Sequence, residues 1–181
     1  MTAPGAIIVV DDDPDVVLAA RLALAGHASR VDSAASAPML LQALQADSYD
    51  AILLDMNFAA GESSGRAGLD GLAGAREIDP AISVVLMTSY GGVALAVEAL
   101  KRGASDFVLK PWKNDRLVET VQAAAALTRA RRREQDLDLD ALERQAIERA
   151  LARHGGNISK AAATLGLTRP ALYRRMEKHG L

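Results

Sequence analysis

Four short apolar runs in the first two-thirds of the chain each stop at a polar residue. Ala6-Ile7-Ile8-Val9-Val10 ends at Asp11-Asp12-Asp13, Ala51-Ile52-Leu53-Leu54 at Asp55, Ile82-Ser83-Val84-Val85-Leu86-Met87 at Thr88, and Asp106-Phe107-Val108-Leu109 at Lys110. Runs that do not alternate apolar with polar suit strands covered on both faces, as in a parallel sheet. A weaker strand is expected near residues 28–32. Helical spacing fills the gaps: Val16-Val17, Ala20 and Leu24; Leu40-Leu41 and Leu44; Val93, Val97 and Leu100, ended by Gly103; and Leu117, Val121 and Leu127 after Pro111. Strand and helix in alternation predict an α/β domain with a doubly wound, five-stranded parallel sheet. Ligands in such sheets sit beyond the carboxyl ends of the strands. Those ends carry Asp11, Asp12, Asp55, Thr88 and Lys110.

Charge divides the 181 residues in two. The net charge of −2 conceals 9 Lys+Arg against 16 Asp+Glu in residues 1–128, and 12 against 7 in residues 129–181. An acidic front and a basic rear point to a cation or regulatory site first and a polyanion contact second. Cysteine is absent, which excludes disulfides and thiolate metal centres. No apolar run approaches the roughly 20 residues that cross a bilayer, and Met1-Thr2-Ala3-Pro4-Gly5 lacks the basic start of a secretion signal. A cytoplasmic location without membrane association is expected.

Neighbouring parallel strands would bring Asp11, Asp12, Asp55 and Lys110 together although they are far apart in sequence. Three carboxylates in one pocket repel each other unless a cation is present. Magnesium prefers hard oxygen ligands and retains waters, so a few carboxylates and a carbonyl suffice. Taken singly, each residue has an ordinary explanation. Asp13 before Pro14 reads as a helix cap, Lys110 as a solvent-facing lysine, Phe107 as core and Thr88 as a strand end. Their joint placement at matching strand ends points to one site.

Val9-Val10-Asp11-Asp12-Asp13, Leu53-Leu54-Asp55-Met56-Asn57, Leu86-Met87-Thr88-Ser89 and Phe107-Val108-Leu109-Lys110-Pro111, in this order, resemble the response-regulator receiver family over roughly residues 5–127. The resemblance implies a flavodoxin-like fold and a set of roles. Asp55 would be the phosphoacceptor, receiving a phosphoryl group from a sensor histidine kinase. Asp11, Asp12 and Asp55, with the main-chain carbonyl of Asn57, would hold Mg2+. Lys110 would pair with a phosphoryl oxygen, Thr88 would donate its hydroxyl to the phosphoryl group, and Phe107 would be the aromatic switch residue that follows Thr88. The loop Phe58–Gly68 is longer than in the plainest receivers and is similar to that of NtrC-like activators.

Residues 128–140 switch sharply from Arg129, Arg131, Arg132 and Arg133 to Glu134, Asp136, Asp138 and Asp140. They read as a linker or a solvated helix extension between a domain at 1–127 and another at 141–181. In the second domain Leu142, Ile147 and Leu151 lead a helix that ends at His154-Gly155-Gly156, and short helices are expected at Ser159–Leu165 and Thr168–His179. The stretch from Gly156-Asn157-Ile158 to Tyr173-Arg174-Arg175-Met176 resembles a Fis-type helix-turn-helix. Alanines at 161–163 allow close helix approach, Gly166 permits the turn, and Thr168 with Pro170 starts the second helix. Leu165, Leu172 and Met176 would face inward.

The resemblance implies that the second helix enters the major groove of double-stranded DNA. Arg169 and Tyr173 would lie at or near base edges, Ala171 against a thymine methyl, and Thr168 would belong to the same DNA-binding set. Arg174, Arg175 and Lys178 would meet phosphates. Fis-type modules act as dimers, so a homodimer is implied, with the Leu142–Leu151 helix as candidate interface. His27, His154 and His179 show no metal-ligand spacing and read as structural or surface residues. No GxxxxGK[ST] loop lies between the modules, so no central AAA+ ATPase is expected. The layout is similar to short receiver–Fis regulators of the RegA/PrrA/ActR group, without a proline-rich hinge.

The chain thus reads as a DNA-binding response regulator rather than an enzyme. Two alternatives share these residues: a phosphorelay protein whose helical tail binds a protein partner, and a regulator that binds DNA independently of phosphorylation.

Overall fold

Each apolar run becomes a strand. β1 is Ala6–Val10, β2 Arg30–Ala34, β3 Ala51–Asp55, β4 Ser83–Thr88 and β5 Asp106–Leu109. They form one five-stranded sheet in the order β2-β1-β3-β4-β5, with every neighbouring pair parallel. The computed structural model describes residues 5–57, 65–89 and 93–181. The helices are α1 (Pro14–Leu24), α2 (Ala37–Ala46), α3 (Arg66–Ile78), α4 (Val93–Lys101), α5 (Asn114–Arg153), α6 (Ile158–Thr164) and α7 (Arg169–His179).

Successive strand residues point to opposite faces, and here both faces are covered. Ile8, Val10, Ile52, Leu54, Val84 and Leu86 pack with Leu40 of α2, Leu72 of α3 and Ala99 of α4. Ile7, Val9, Leu53, Val85, Met87 and Val108 pack with Ala20 and Leu24 of α1 and Leu117 and Val121 of α5. Each fully buried aliphatic side chain contributes about 1.5–3 kcal/mol, so the non-alternating pattern follows from two apolar layers. The expected doubly wound α/β class is the one observed.

Local details differ from the sequence expectations. The helix α3 was not expected, because glycines at 68, 71 and 74 lower helix propensity. Two of them are crowded by neighbours: a Cβ on Gly68 would lie 2.8 Å from the Met56 Cα, and one on Gly74 2.9 Å from the end of the Leu41 side chain. Part of the expected loop, Arg66–Gly68, is therefore the first turn of α3, while Phe58–Ser64 lies outside the described residues. Along α4 the inner face is Ala96 and Ala99, and Val97 is exposed. Along α5 it is Leu117, Val121, Ala124, Ala125 and Thr128, and Leu127 is exposed.

Residues 128–140, read as a linker or helix extension, are helical and belong to α5. Neither proline nor glycine interrupts Asn114–Arg153, and Ala, Leu, Arg, Glu and Gln all favour helix. The chain divides into two compact units, residues 1–131 and 132–181. In the first, Thr128 Oγ1 accepts a hydrogen bond from the Ser83 N–H at 2.9 Å, which ties α5 to the start of β4.

The second unit has its own small core of Ile147, Ala150, Ala161, Ala162 and Leu172, bordered by Leu165 and Met176. Leu142 is 60% exposed and does not share the inner face with Ile147 and Leu151. Its five-residue offset from Ile147 turns it away from a 3.6-residue repeat. Asn157 caps α6 by accepting from the Lys160 N–H, and Thr168 caps α7 by accepting from the Ala171 N–H. Gly166, between them, has φ +66°, a conformation that L side chains rarely adopt.

Candidate functional site

Strand register assembles the first site. Val10 pairs with Leu54 and Thr88 with Leu109, so Asp11, Asp55 and Lys110 emerge together at one edge of the sheet. Lys110 Nζ donates to Asp11 Oδ2 at 2.6 Å and to Asp55 Oδ1 at 2.7 Å. The remaining oxygens are engaged locally: Asp11 Oδ1 accepts from the Asp13 N–H at 3.0 Å, and Asp55 Oδ2 from the Asn57 N–H at 2.9 Å. Asp13 caps α1 through the Asp15 N–H, as its place before Pro14 predicts. Asp11 and Asp55 are buried, whereas Asp12 is exposed. One oxygen from each of the three lies within 4.8 Å of the others.

These groups line a cavity of about 310 Å³ together with Asn57 and Ser89. Burial pushes the Asp11 carboxyl up from its ordinary pKa, against the downward pull of the Lys110 hydrogen bond. For Lys110, burial opposes the charge, but the hydrogen bonds it donates to Asp11 and Asp55 prevail and hold the ammonium above the usual lysine value. Among the described residues Asn57 Oδ1 is buried without a hydrogen-bond partner, an acceptor in the cavity that the carboxylates line. Hard, anionic oxygen donors of this kind fit Mg2+.

Thr88 closes β4 and pairs with Leu109 of β5, whereas Phe107 pairs with Leu86, two residues earlier on β4. Thr88 is buried, and its hydroxyl donates to the Ser89 carbonyl at 3.3 Å. Ser89, rather than Thr88, supplies the wall of the cavity after β4. Sequence reasoning missed Ser89, although its position directly after the strand end was the available signal. Phe107 is partly buried against the cluster that includes Leu86.

The second candidate site is α7. Arg169, Tyr173 and Arg174 are exposed, Tyr173 at 51%, and Ala171 is half-buried. Arg175 and Lys178 are engaged within the unit. Arg175 Nε donates to Glu143 Oε1 at 2.5 Å, and Lys178 Nζ donates to Asp140 Oδ1 at 2.5 Å and Glu143 Oε2 at 3.4 Å. His179 Nε2 lies 2.8 Å from Glu143 Oε2. Hydrogen bonds from His179 first and Arg175 second lower the Glu143 pKa to about 2. Sequence reasoning missed this role for Asp140, at the end of the acidic run, and for Glu143 just beyond it, because neither position gave a sign of which cations would meet it.

Residues 7–122 match the family described as response regulator receiver domain, and residues 138–179 that described as bacterial regulatory protein, Fis family. The chain belongs to the response regulator family. Residues 123–137 alone separate the two matched segments of this response regulator, leaving no room there for an AAA+ domain. It is 37% identical over 126 residues to the transcriptional regulatory protein ZraR of Salmonella typhimurium, a match covering 68% of this chain and 27% of that protein. The C4-dicarboxylate transport transcriptional regulatory protein DctD of Rhizobium meliloti is 35% identical over 127 residues, 68% of this chain and 26% of its own.

The response regulator thus spans about a quarter of the length of these curated relatives. Among solved structures, it resembles the N-terminal signal receiver domain of a two-component response regulator from Bacteroides fragilis, with 40% identity and a TM-score of 0.62. That match covers 68% of this chain and 98% of the other. NtrX from Brucella abortus is 29% identical with a TM-score of 0.66, covering 75% of this chain and 30% of that one. Among the described residues of the response regulator no helix is long and apolar enough to cross a membrane.

Proposed function

We propose that this response regulator accepts a phosphoryl group on Asp55 from a sensor histidine kinase and thereby controls dimerisation, DNA binding or both, to regulate transcription. Residues 1–127 act as the receiver, 128–140 as a helical connector and 141–181 as the DNA-binding module. The observation that carries the reading is the bridge from Lys110 to both Asp11 and Asp55 at 2.6 and 2.7 Å.

In the transfer, a carboxylate oxygen of Asp55 attacks phosphorus; the bond from phosphorus to the donor nitrogen breaks and an acyl phosphate forms. Lys110 offers a fixed positive charge to the incoming phosphoryl oxygens. The Asn57 N–H holds the second Asp55 oxygen at 2.9 Å and orients the carboxylate. Asp11, Asp12, Asp55 and the Asn57 main-chain carbonyl would hold Mg2+, which when bound reduces negative charge where the phosphoryl group approaches.

Thr88 then exchanges its long 3.3 Å bond to the Ser89 carbonyl for a phosphoryl oxygen. A bond of that length is weak and costs little to release. Phe107, on the neighbouring strand β5, follows. At the other end, Thr168, Arg169, Ala171, Tyr173 and Arg174 are the DNA-facing set on a unit whose sequence matches the Fis family. A DNA-directed role and the absence of a membrane-crossing helix among the described residues support a cytoplasmic location.

The test is phosphorylation by a small-molecule phosphodonor with magnesium. Asp55→Asn abolishes incorporation, and labelling that persists in that variant removes the site assignment.

A further inference from the structure

The recognition helix α7 carries four permanent cations, Arg169, Arg174, Arg175 and Lys178, and the structure treats them as two pairs. Arg169 and Arg174 are exposed; Lys178 is exposed too, but like Arg175 it is ion-paired. Arg175 and Lys178, three residues apart, lie on one helical face, and so do Asp140 and Glu143 on α5. The two faces meet: Arg175 bonds Glu143, and Lys178 bonds both Asp140 and Glu143. Each contact lies within the second compact unit.

DNA affinity through phosphates depends on how many cations are free to replace condensed counterions. A guanidinium 2.5 Å from a carboxylate presents little net charge to a phosphate. Phosphates approaching Arg175 or Lys178 also approach Asp140 and Glu143, whose charge repels them. Glu143, held at about 2 by His179 and Arg175, stays ionised throughout the neutral range. The sequence pattern assigned Arg175 and Lys178 to phosphate contacts; in the folded unit both are ion-paired with carboxylates at the surface.

We propose that Asp140 and Glu143 are specificity-determining residues that mask Arg175 and Lys178, confining DNA contact to the Arg169–Arg174 half of α7 and suppressing sequence-independent binding. The inference rests on reading residues 141–181 as a DNA-binding module. With the mask in place, phosphate contacts near the C-terminal end of α7 add nothing to affinity on arbitrary sequence, while the exposed side chains near its N-terminal end keep their access to base edges.

The experiment measures the binding of the full chain to a random-sequence DNA duplex as a function of salt. The slope of log affinity against log salt reports the number of phosphate-neutralising cations, about 0.9 for each. Binding by the wild type with a slope that falls in Arg174→Gln establishes the DNA reading separately. On the proposal, the Asp140→Asn/Glu143→Gln double variant binds random DNA more tightly, with a slope steeper by about 1.8 for two released cations. Arg175→Gln leaves the wild-type slope unchanged but lowers that of the double variant by about 0.9. An unchanged or shallower slope in the double variant overturns the proposal, as does a lower slope for Arg175→Gln alone. If the double variant loses helicity by circular dichroism, Arg175→Gln in the wild-type background decides: unchanged slope supports the mask, and a loss of about 0.9 overturns it. Absence of binding by wild type and variants alike overturns the DNA reading and the mask with it.

Discussion

Lys110 Nζ lies 2.7 Å from Asp55 Oδ1 across 55 residues of sequence, and both side chains are largely withdrawn from solvent. The same ammonium holds Asp11, so it separates two buried carboxylates that would otherwise face one another uncompensated. Replacing it with an apolar residue of similar length, Lys110→Met, removes charge-assisted bonds each worth about 1.5–3 kcal/mol. The expected outcome is a folded protein whose phosphorylation on Asp55 is slowed on the order of 10- to 100-fold. Timed incorporation from a small-molecule phosphodonor checks it; a rate close to wild type would remove Lys110 from the site.

Gly68 stands where α3 crosses the end of β3. An added Cβ would meet the Met56 Cα at 2.8 Å and the Met56 carbonyl at 3.0 Å, both backbone atoms that cannot turn aside. Gly68→Ala is therefore expected to destabilise the receiver unit by roughly 1–3 kcal/mol, although alanine is the better helix former. Urea unfolding measures the sign directly, and a stabilised variant would contradict the crowding.

Thr128 is buried, and its hydroxyl accepts from the Ser83 N–H at 2.9 Å while donating to the Ala124 carbonyl at 3.2 Å. In Thr128→Val the shape is kept and the acceptor is lost, leaving a buried N–H unpaired. The expected cost is about 1–3 kcal/mol. Thr128→Ser, which keeps the hydroxyl, should lose less. Equal stabilities for the two variants in denaturant titration would mean that the bond contributes nothing.

Tyr49 is pushed up to about 12, first by burial and then by donating its hydroxyl to Asp32. Its folded-state value lies above the unfolded one, so the neutral phenol is the form that the fold favours. That stability is present in full below about pH 10, falls as the unfolded phenol ionises, and is gone once the pH passes through the folded value. In an ultraviolet titration the last tyrosine to ionise should vanish in Tyr49→Phe, and the variant should lose less stability than wild type between neutral and strongly alkaline pH. Persistence of the late-titrating group in Tyr49→Phe would assign it elsewhere.

Much of this protein was legible in its sequence because the physics there is local or periodic. Non-alternating runs ending in polar residues foretold the strands and the sheet edge at which Asp11, Asp55 and Lys110 gather, since a parallel sheet aligns all carboxyl ends. Thr168, Pro170 and Gly166 marked the turn into α7 through capping and backbone freedom. Other features were settled by contacts between distant segments. The glycines of α3 argue against a helix until Met56 and Leu41 are seen to crowd them, and tertiary packing overrides propensity there. The run at 128–140 reads equally as linker or helix until it is seen within α5. Four cations on one short helix look alike in sequence. Only the approach of Asp140 and Glu143 separates Arg175 and Lys178 from Arg169 and Arg174, because charge pairing over 32 to 38 residues leaves no local trace.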